Sequence, residues 1–249
     1  AKKYRIRVLP PSINYSTNRF EQVEGDLRFS LLGIKNVGQA GYQAIVEERE
    51  KNGLFKDIFD FISRMDGKKV NTMMLESLID AGAFDEFELN RATLKANLEK
   101  IGEYANLKNT IGIDEPPLLD IVQENKMVRL ELEKKAIGVY LSMHPLAYLK
   151  QKLQVPVIAI ARLNEYVSKN VSVLLMLTRV KVIVDKKGNE MCFIEGHDET
   201  GNVEGVVFSS TYRQVKDLLE KNKVIYIEGR IDYRDKLSLV VQRVKEISK

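Results

Sequence analysis

Tryptophan is absent from this chain of 249 residues, cysteine occurs once and histidine twice. A single cysteine excludes an intrachain disulfide and is typical of a reducing compartment, so we expect a cytoplasmic protein. Cys192 lies in the apolar run Met191-Cys192-Phe193-Ile194, which predicts a buried, inert thiol. His144 and His197 lie far apart in the sequence and lack a partner at metal-ligand spacing. We therefore predict no metal site and treat His144 as structural.

The sequence also lacks the apolar runs and short motifs that mark several classes of protein. No run approaches the roughly 20 apolar residues that span a membrane, so no membrane partner is expected. Ala1-Lys2-Lys3 leads into a mixed strand, which predicts no secretory signal, and the missing initial methionine suggests a fragment or a processed chain. A Walker loop, Gly-x-Ser-x-Gly and a Rossmann fingerprint are absent. The acidic pair Asp198-Glu199 falls in a turn, where we expect both carboxylates to be solvated. We therefore predict neither catalytic residues nor a cofactor.

Charge of one sign is in small excess, since 39 basic and 35 acidic residues give a net charge of +4. This excess is too mild to indicate a nucleic-acid partner by itself, because such binding depends on where the charge lies. Hydrophobic residues make up 44% of the chain and charged residues 30%. This composition and length suit two modest globular domains.

The stretch from Leu31 to Arg49 predicts two short helices joined by a tight turn at Lys35-Asn36-Val37-Gly38. Gly38 and Gly41 permit the backbone to turn without a Cβ atom in the way. The first amides of the second helix have no partner inside that helix, and such an end suits a phosphate. This arrangement resembles a helix-hairpin-helix motif, with Lys35-Asn36 in place of the usual Pro-Gly. An ordinary helical corner is the alternative. The predicted phosphate contacts are Lys35, Val37, Gly38, Gln39, Ala40 and Gly41.

A second unit of similar length follows, so residues 29–84 read as a degenerate duplication. Asp57 is positioned to cap its first helix and Asn71 its second. The turn between them, Asp66-Gly67-Lys68-Lys69, places Lys68 and Lys69 where a phosphate would lie. A solvated turn is the alternative.

The remaining elements of the first half are expected as follows. We predict a strand at 4–9, a loop at 14–25, one helix from the cap Asn90 to Tyr104, a non-periodic stretch at 105–125, and helices around 130–141 and 145–153.

The last third is β-rich and has the element order of an OB-fold, a five-stranded Greek-key barrel. The predicted strands are Val171–Val184, Glu190–Gly196, Asn202–Phe208, Lys223–Tyr233 and Lys236–Ile247, with a helix at Thr211–Lys221 before the fourth strand. The predicted fold class is therefore α+β with two domains, an all-helical tandem hairpin domain and, after a helical linker, the barrel.

An OB barrel binds single-stranded nucleic acid on its second and third strands and on the loops beside them. Phe193 and Phe208 fall on these strands, and we expect each to belong to the core rather than to a stacking surface. Tyr212 and Arg213 are expected at the rim. The predicted single-strand contacts are Arg179, Lys181, Lys186, Lys187, Tyr212, Arg213, Tyr233, Arg234 and Lys236.

Several blocks of sequence resemble, in order, the C-terminal part of bacterial DNA polymerase III alpha subunits of the DnaE type. They are VLPPSIN (8–14), RFSLLGIKNVGQAG (28–41), LESLIDAGAFD (75–85), IGVYLSMHPL (137–146) and the stretch 185–208. The resemblance implies the end of the fingers region at 1–28, a tandem helix-hairpin-helix domain on duplex DNA at 29–105, a linker with helices at 106–160, and an OB domain near single-stranded template at 161–249. It also implies that the magnesium-binding palm aspartates lie outside this sequence, so the fragment itself does not polymerise.

One departure from the family concerns its protein partners. The family pattern often carries a sliding-clamp motif, Gln-x-x-Leu/Met-Phe, after the hairpin domain. Here the only glutamine between Tyr104 and Arg129 is Gln123, and the residues after it do not match. This puts binding of the sliding clamp in doubt, and a tail for a clamp loader is expected outside this sequence. The alternative function is a replisome scaffold in which the OB face or the segment 105–160 binds a protein.

Overall fold

A computed structural model of the chain describes residues 6–152, 156–233 and 235–247. The chain divides between Met143 and His144 into two compact units. The first unit is mainly helical and the second is built on a closed barrel, which confirms the predicted α+β class. The division falls inside the segment 106–160 that the sequence marks as a linker.

The first unit contains a small sheet followed by helices. The strands are β1 (Val8–Leu9), β2 (Glu21–Val23) and β3 (Asp26–Arg28), in the order β1-β3-β2. The helices are α1 (Gln39–Asn52), α2 (Ile58–Met65), α3 (Thr72–Ala81), α4 (Arg91–Ala96), α5 (Leu98–Ile111) and α6 (Lys126–Ile137). The prediction of a loop at 14–25 is therefore wrong at β2, which pairs with β3 across a turn at Glu24 and Gly25. Part of the predicted strand 4–9 lies outside the described residues.

The predicted helix caps are confirmed. The side chains of Asp57, Asn71 and Asn90 each accept a hydrogen bond from the backbone amide three residues on, at the start of α2, α3 and α4. Gly82 ends α3 in a left-handed conformation, with φ of +88°. The sequence therefore marks the starts of these helices through side chains that satisfy otherwise unpaired backbone amides, and it marks the end of α3 through a glycine.

The first predicted hairpin lacks its first helix. Residues 31–36 form successive turns, in which the Ile34 amide donates to the Leu31 carbonyl at 3.1 Å. The Lys35 amide, which a helix would use internally, donates instead to the Ala136 carbonyl of α6 at 2.8 Å. Asn36 then takes a positive φ of +65°, a conformation that asparagine tolerates better than most residues. Asn36 thus adopts this backbone conformation at the position where the helix-hairpin-helix motif usually has a glycine.

The single helix predicted from Asn90 to Tyr104 is broken, and it extends further than predicted. Asn97 separates α4 from α5, and its buried side chain both donates to and accepts from the backbone of Asp120. The Thr93 hydroxyl similarly accepts from the Val122 amide at 3.0 Å. These bonds hold the extended segment that contains Asp120 and Val122 against α4. The helix breaks at Asn97 because an asparagine side chain that bonds to other backbone groups competes with the helix.

The turns of the two hairpins touch at Gly41. An ideal Cβ atom at Gly41 would lie 2.5 Å from the Met74 sulfur and 2.8 Å from the Lys69 carbonyl oxygen. Gly38, by contrast, has an ordinary extended φ of −86°, and a Cβ atom there would meet nothing within 4 Å. Gly41 is therefore required by close packing, whereas the backbone at Gly38 does not need glycine.

A buried carboxylate, Glu48 on α1, ties α1 to the second hairpin. It accepts hydrogen bonds from Arg64 (2.9 Å) and Asn52 (2.7 Å) and forms a short ion pair with Lys68. The Lys68 hydrogen bond lowers the pKa of Glu48 to about 2, and Asn52 and Arg64 act in the same direction against the effect of burial. Glu48 thus stays charged across the physiological range.

The second unit is a five-stranded barrel preceded by a short helix. Its elements are α7 (Pro145–Lys152), β4 (Asn170–Val184), β5 (Glu190–His197), β6 (Asn202–Val207), α8 (Ser209–Val215), β7 (Val224–Tyr233) and β8 (Leu237–Glu246). The strands close in the order β4-β5-β6-β8-β7, with β6 and β8 parallel. The predicted order of elements along the chain, three strands, a helix and two strands, is confirmed. The predicted helix 211–221 is shorter than expected, since α8 passes into a 3-10 turn at Lys216–Leu218.

The buried side chain of Asp198 anchors α7 and the segment after it to the barrel. It accepts hydrogen bonds from Lys150 (2.8 Å), from the Ile160 amide (3.1 Å) and from Thr200. Burial alone would raise the pKa of Asp198, but these hydrogen bonds outweigh it and lower the pKa. The acidic pair that the sequence places in a solvated turn is therefore partly a structural anchor.

Replacing Gly41 by alanine is expected to destabilise the first unit by about 1–3 kcal/mol, because the added methyl group meets a backbone oxygen that cannot move independently. Gly38→Ala is the matched control and is expected to cost less than about 1 kcal/mol, since only the preference at the helix cap changes. Urea unfolding followed by circular dichroism measures both. Equal losses in the two variants would contradict the packing argument.

Replacing Glu48 by glutamine is expected to lower the free energy of unfolding by about 2–3 kcal/mol at pH 7. The folded state depresses the pKa of Glu48, so its contribution is complete above the ordinary glutamate pKa and disappears as the pH falls from about 4.5 to about 2. The difference between the two proteins should shrink over that range in urea titrations. Glu47→Gln, at an exposed neighbour, is the control. A difference that does not vary with pH would refute the role of the carboxylate.

Candidate nucleic-acid interface

The N-terminal end of α1 presents open backbone amides. Gly38, Gln39 and Ala40 are exposed, and no side chain in the described part of the chain caps this end of the helix. Val37 and Gly41 are buried, so the phosphate contacts predicted for them depend on their backbone amides. The amides of the first turn carry the positive end of the helix dipole. With the exposed Lys35 side chain nearby in sequence, this end has the chemistry to hold a phosphate.

The second turn differs from the first in how its polar groups are used. Asn71 caps α3, and Gly67 takes the left-handed conformation with φ of +68°. Lys69 is exposed, whereas Lys68 is held by Glu48. Among the residues that the structure describes, Lys69 has no ion-pair partner, whereas Lys68 has a structural role through Glu48. The contact at Gly41 brings this turn against the start of α1.

Cross-strand pairing assembles one outward face of the barrel. Lys181 of β4 lies opposite Phe193 of β5, and Phe193 lies opposite Val206 of β6, which pairs in turn with Val240 of β8. Neighbouring strands lie about 4.8 Å apart, so these four side chains form one row across the sheet. A second row contains Arg179, Glu195, Glu204 and Ser238.

Phe193 and Phe208 are 46% and 49% exposed, so the expectation that they belong to the core is wrong. Phe193 lies between the buried Cys192 and Ile194, and the alternation of a strand turns it outward. That alternation was the signal in the sequence that identifies both rings. They line a shallow groove of about 580 Å³ together with Met191, Val206, Lys236 and Val240.

Tyr212 is not part of this face. Its side chain is only 8% exposed and packs in the barrel core, because the first turn of α8 lies against β5. Burial raises the pKa of the Tyr212 hydroxyl. The expected rim position is therefore corrected for Tyr212, while the neighbouring Arg213 is exposed.

The predicted cations of the barrel fall into two groups. Arg179 is paired with Glu195 at 3.1 Å, and Lys236 is paired with Glu204, so both already have a carboxylate on the same face. Lys181, Lys186 and Lys187 are exposed. Tyr233 is exposed as well, and Arg234 lies outside the described residues.

The two histidines, distant in sequence, meet in the second unit with ring centroids 5.7 Å apart. Across residues 6–152, 156–233 and 235–247, no group of three or more potential ligands is arranged to hold a metal ion. Within the same ranges, no helix is both long and apolar enough to traverse a bilayer.

Comparison with known proteins agrees with this architecture. A family model described as a helix-hairpin-helix motif matches residues 5–94, and one described as an OB-fold nucleic acid binding domain matches residues 171–247. Among solved structures, the SSB domain of a Synechococcus protein covers 31% of this chain and 93% of its own, at 12% identity and a TM-score of 0.29. That likeness is too weak to bear on fold or function.

Curated relatives cover nearly the whole chain. The DNA polymerase III subunit alpha of Bacillus subtilis is 35% identical over 98% of this chain, and those of Thermus aquaticus and Aquifex aeolicus are each 33% identical over 98% and 99%. The chain spans only 23%, 21% and 21% of these proteins. The matched domains support a nucleic-acid-binding role in replication. The chain is thus a homologue of the C-terminal region of bacterial DNA polymerase III alpha subunits, and it carries a helix-hairpin-helix match and an OB-fold match.

Proposed function

We propose that this chain is a DNA-binding part of a cytoplasmic bacterial replicative polymerase. The first unit holds the backbone of duplex DNA, and the barrel holds single-stranded template. The polymerase activity named for the relatives is assigned, within the same proposal, to the larger part of those proteins that this chain does not match. The chain itself contributes binding rather than chemistry.

The observation that carries the proposal is the row of Lys181, Phe193 and Val206 beside the groove of the barrel. Exposed rings offer a surface on which bases stack whatever their sequence, and a lysine at the end of the row suits the phosphate backbone. A contiguous exposed apolar patch with a polar rim is typical of a binding groove. The paired residues Arg179 and Lys236 contribute less, because a phosphate must compete with Glu195 and Glu204.

In the first unit the support comes from the open amides at Gln39 and Ala40, with Lys35 and Lys69 as exposed cations near the two turns. Backbone amides and lysines contact phosphates without reading base identity. A hairpin unit of this kind therefore suits a protein that must bind any sequence it replicates.

Replacing Phe193 or Phe208 by alanine is expected to weaken binding of oligothymidylate by roughly 1–3 kcal/mol for each ring, the usual contribution of base stacking. Fluorescence anisotropy with a labelled oligonucleotide measures the change. Tyr15→Ala removes an equally exposed ring of the first unit and is expected to leave this affinity unchanged. Unaltered affinity in both phenylalanine variants would exclude the groove as the single-strand site.

Replacing Lys35 and Lys69 together by glutamate is expected to weaken binding of duplex DNA and to reduce the slope of log K against log salt by about 1 per lysine. Titrations of one duplex at several salt concentrations measure both effects. Lys51→Glu is the matched control, since this exposed lysine lies about 18 Å along α1 from its N-terminus. An unchanged slope in the double variant would show that these turns do not contact phosphates.

A further inference from the structure

Strand β4 has two partners in succession. It pairs with β7 from Asn170 to Met176 and with β5 from Met176 to Val184. Beyond Leu177, no strand of the described chain pairs with the other side of β4. The outer edge from Thr178 to Val184 is therefore open, although the barrel itself is closed.

The hairpin closure shows which backbone groups face this edge. The Asp185 amide donates to the Asn189 carbonyl at 2.8 Å, which makes these two residues a hydrogen-bonded pair. Bonded and non-bonded pairs alternate along an antiparallel ladder. Lys181 and Ile183 consequently bond to β5, while Val180, Val182 and Val184 direct their N–H and C=O groups outward. Such a row is a template for another strand.

The side chains of the edge are sorted by the same alternation. Val182 and Val184 are 45% and 63% exposed on one side of the hairpin, and Arg179 and Lys181 lie on the other. Residues 178–190 carry four basic and two acidic residues. One of the two acids, Asp185, is engaged by the amides of Lys187 and Asn189. The edge is therefore valine-rich and positively charged.

We propose that this edge binds an extended peptide as an added strand, and that the peptide alternates acidic with β-branched residues. The acidic residues would lie beside Lys181 and beside Arg179, where they compete with Glu195, and the β-branched residues beside the valines. The alternating N–H and C=O groups match another peptide backbone and not DNA, since outward carbonyls repel phosphates. A second copy of the chain fits less well, because seven edge residues bury far less than the roughly 1,000 Å² of a stable interface.

The test uses the full chain and a labelled, end-capped peptide of about ten alternating valine and glutamate residues, near the upper length of a natural strand. Fluorescence anisotropy measures binding. A peptide of the same composition with its valines and glutamates in separate blocks is the control. We expect it to bind at least roughly tenfold more weakly, because it keeps the backbone hydrogen bonds but loses several cross-strand side-chain pairs. Equal binding of the two peptides would overturn the proposal.

Amide hydrogen exchange measured by NMR reports directly on the backbone amides of this edge. The amides of Val180, Val182 and Val184 are expected to exchange fast in the free chain and to become protected by the peptide. Those of Lys181 and Ile183 are expected to be protected in both states. Protection of the three valine amides in the absence of peptide would contradict the proposal, because the edge would then already be covered. Protection that increases with protein concentration would also contradict it, because the edge would then pair with a second copy of the chain.

Val182→Pro removes one outward N–H group and leaves the ladder to β5 intact, because proline is tolerated where the amide faces away from the sheet. We expect this variant to bind the peptide roughly tenfold more weakly and to bind oligothymidylate normally. Val182→Thr, which keeps the amide and the branched side chain, is the matched control. Undiminished peptide binding by a folded Val182→Pro chain would refute strand addition, whereas loss of DNA binding alone bears only on the barrel groove.

Discussion

Backbone N–H and C=O groups need partners, and this constraint organises both units of the chain. Helices and strands satisfy most of these groups internally, and capping side chains such as Asp57 and Asn71 satisfy others. At the start of α1 and along the outer edge of β4 beyond Leu177, the described structure leaves such groups directed outward. One place presents amides alone, which suits an anion. The other presents amides alternating with carbonyls, which suits a peptide strand.

Charge acts on top of this backbone pattern, and its distribution explains why the net charge says little. Three of the predicted DNA-contacting cations, Lys68, Arg179 and Lys236, are engaged by Glu48, Glu195 and Glu204. The exposed pairs, Arg179 with Glu195 and Lys236 with Glu204, contribute little to stability. Each of the three pairs makes its cation less available to a phosphate. The other predicted cations that the structure describes are exposed and lie in turns, on β4 and in α8: Lys35, Lys69, Lys181, Lys186, Lys187 and Arg213. Under the proposed function, DNA binding through these cations weakens with salt in proportion to the number of phosphates that they contact.

The fold was predictable wherever a local signal acts through local chemistry. Strand alternation and turn residues located the barrel strands to within one or two residues, and the caps located three helix starts. The failures arise where a distant partner decides. The Lys35 amide bonds to Ala136 rather than within a helix, and Asn97 bonds to Asp120. The residues next to Lys35 and Asn97 in the sequence therefore do not predict these hydrogen bonds.

The candidate site shows the same division in a sharper form. Residue type predicts that Phe193 and Phe208 belong to the core, although the buried neighbours Cys192 and Ile194 place Phe193 on the opposite side of the strand. Position at the start of a helix predicts that Tyr212 lies at the rim, but α8 packs that turn against β5. Periodicity therefore outweighs residue type inside a strand. At the first turn of a short helix, whose seven residues complete about two turns, only tertiary packing decides which side chains are buried.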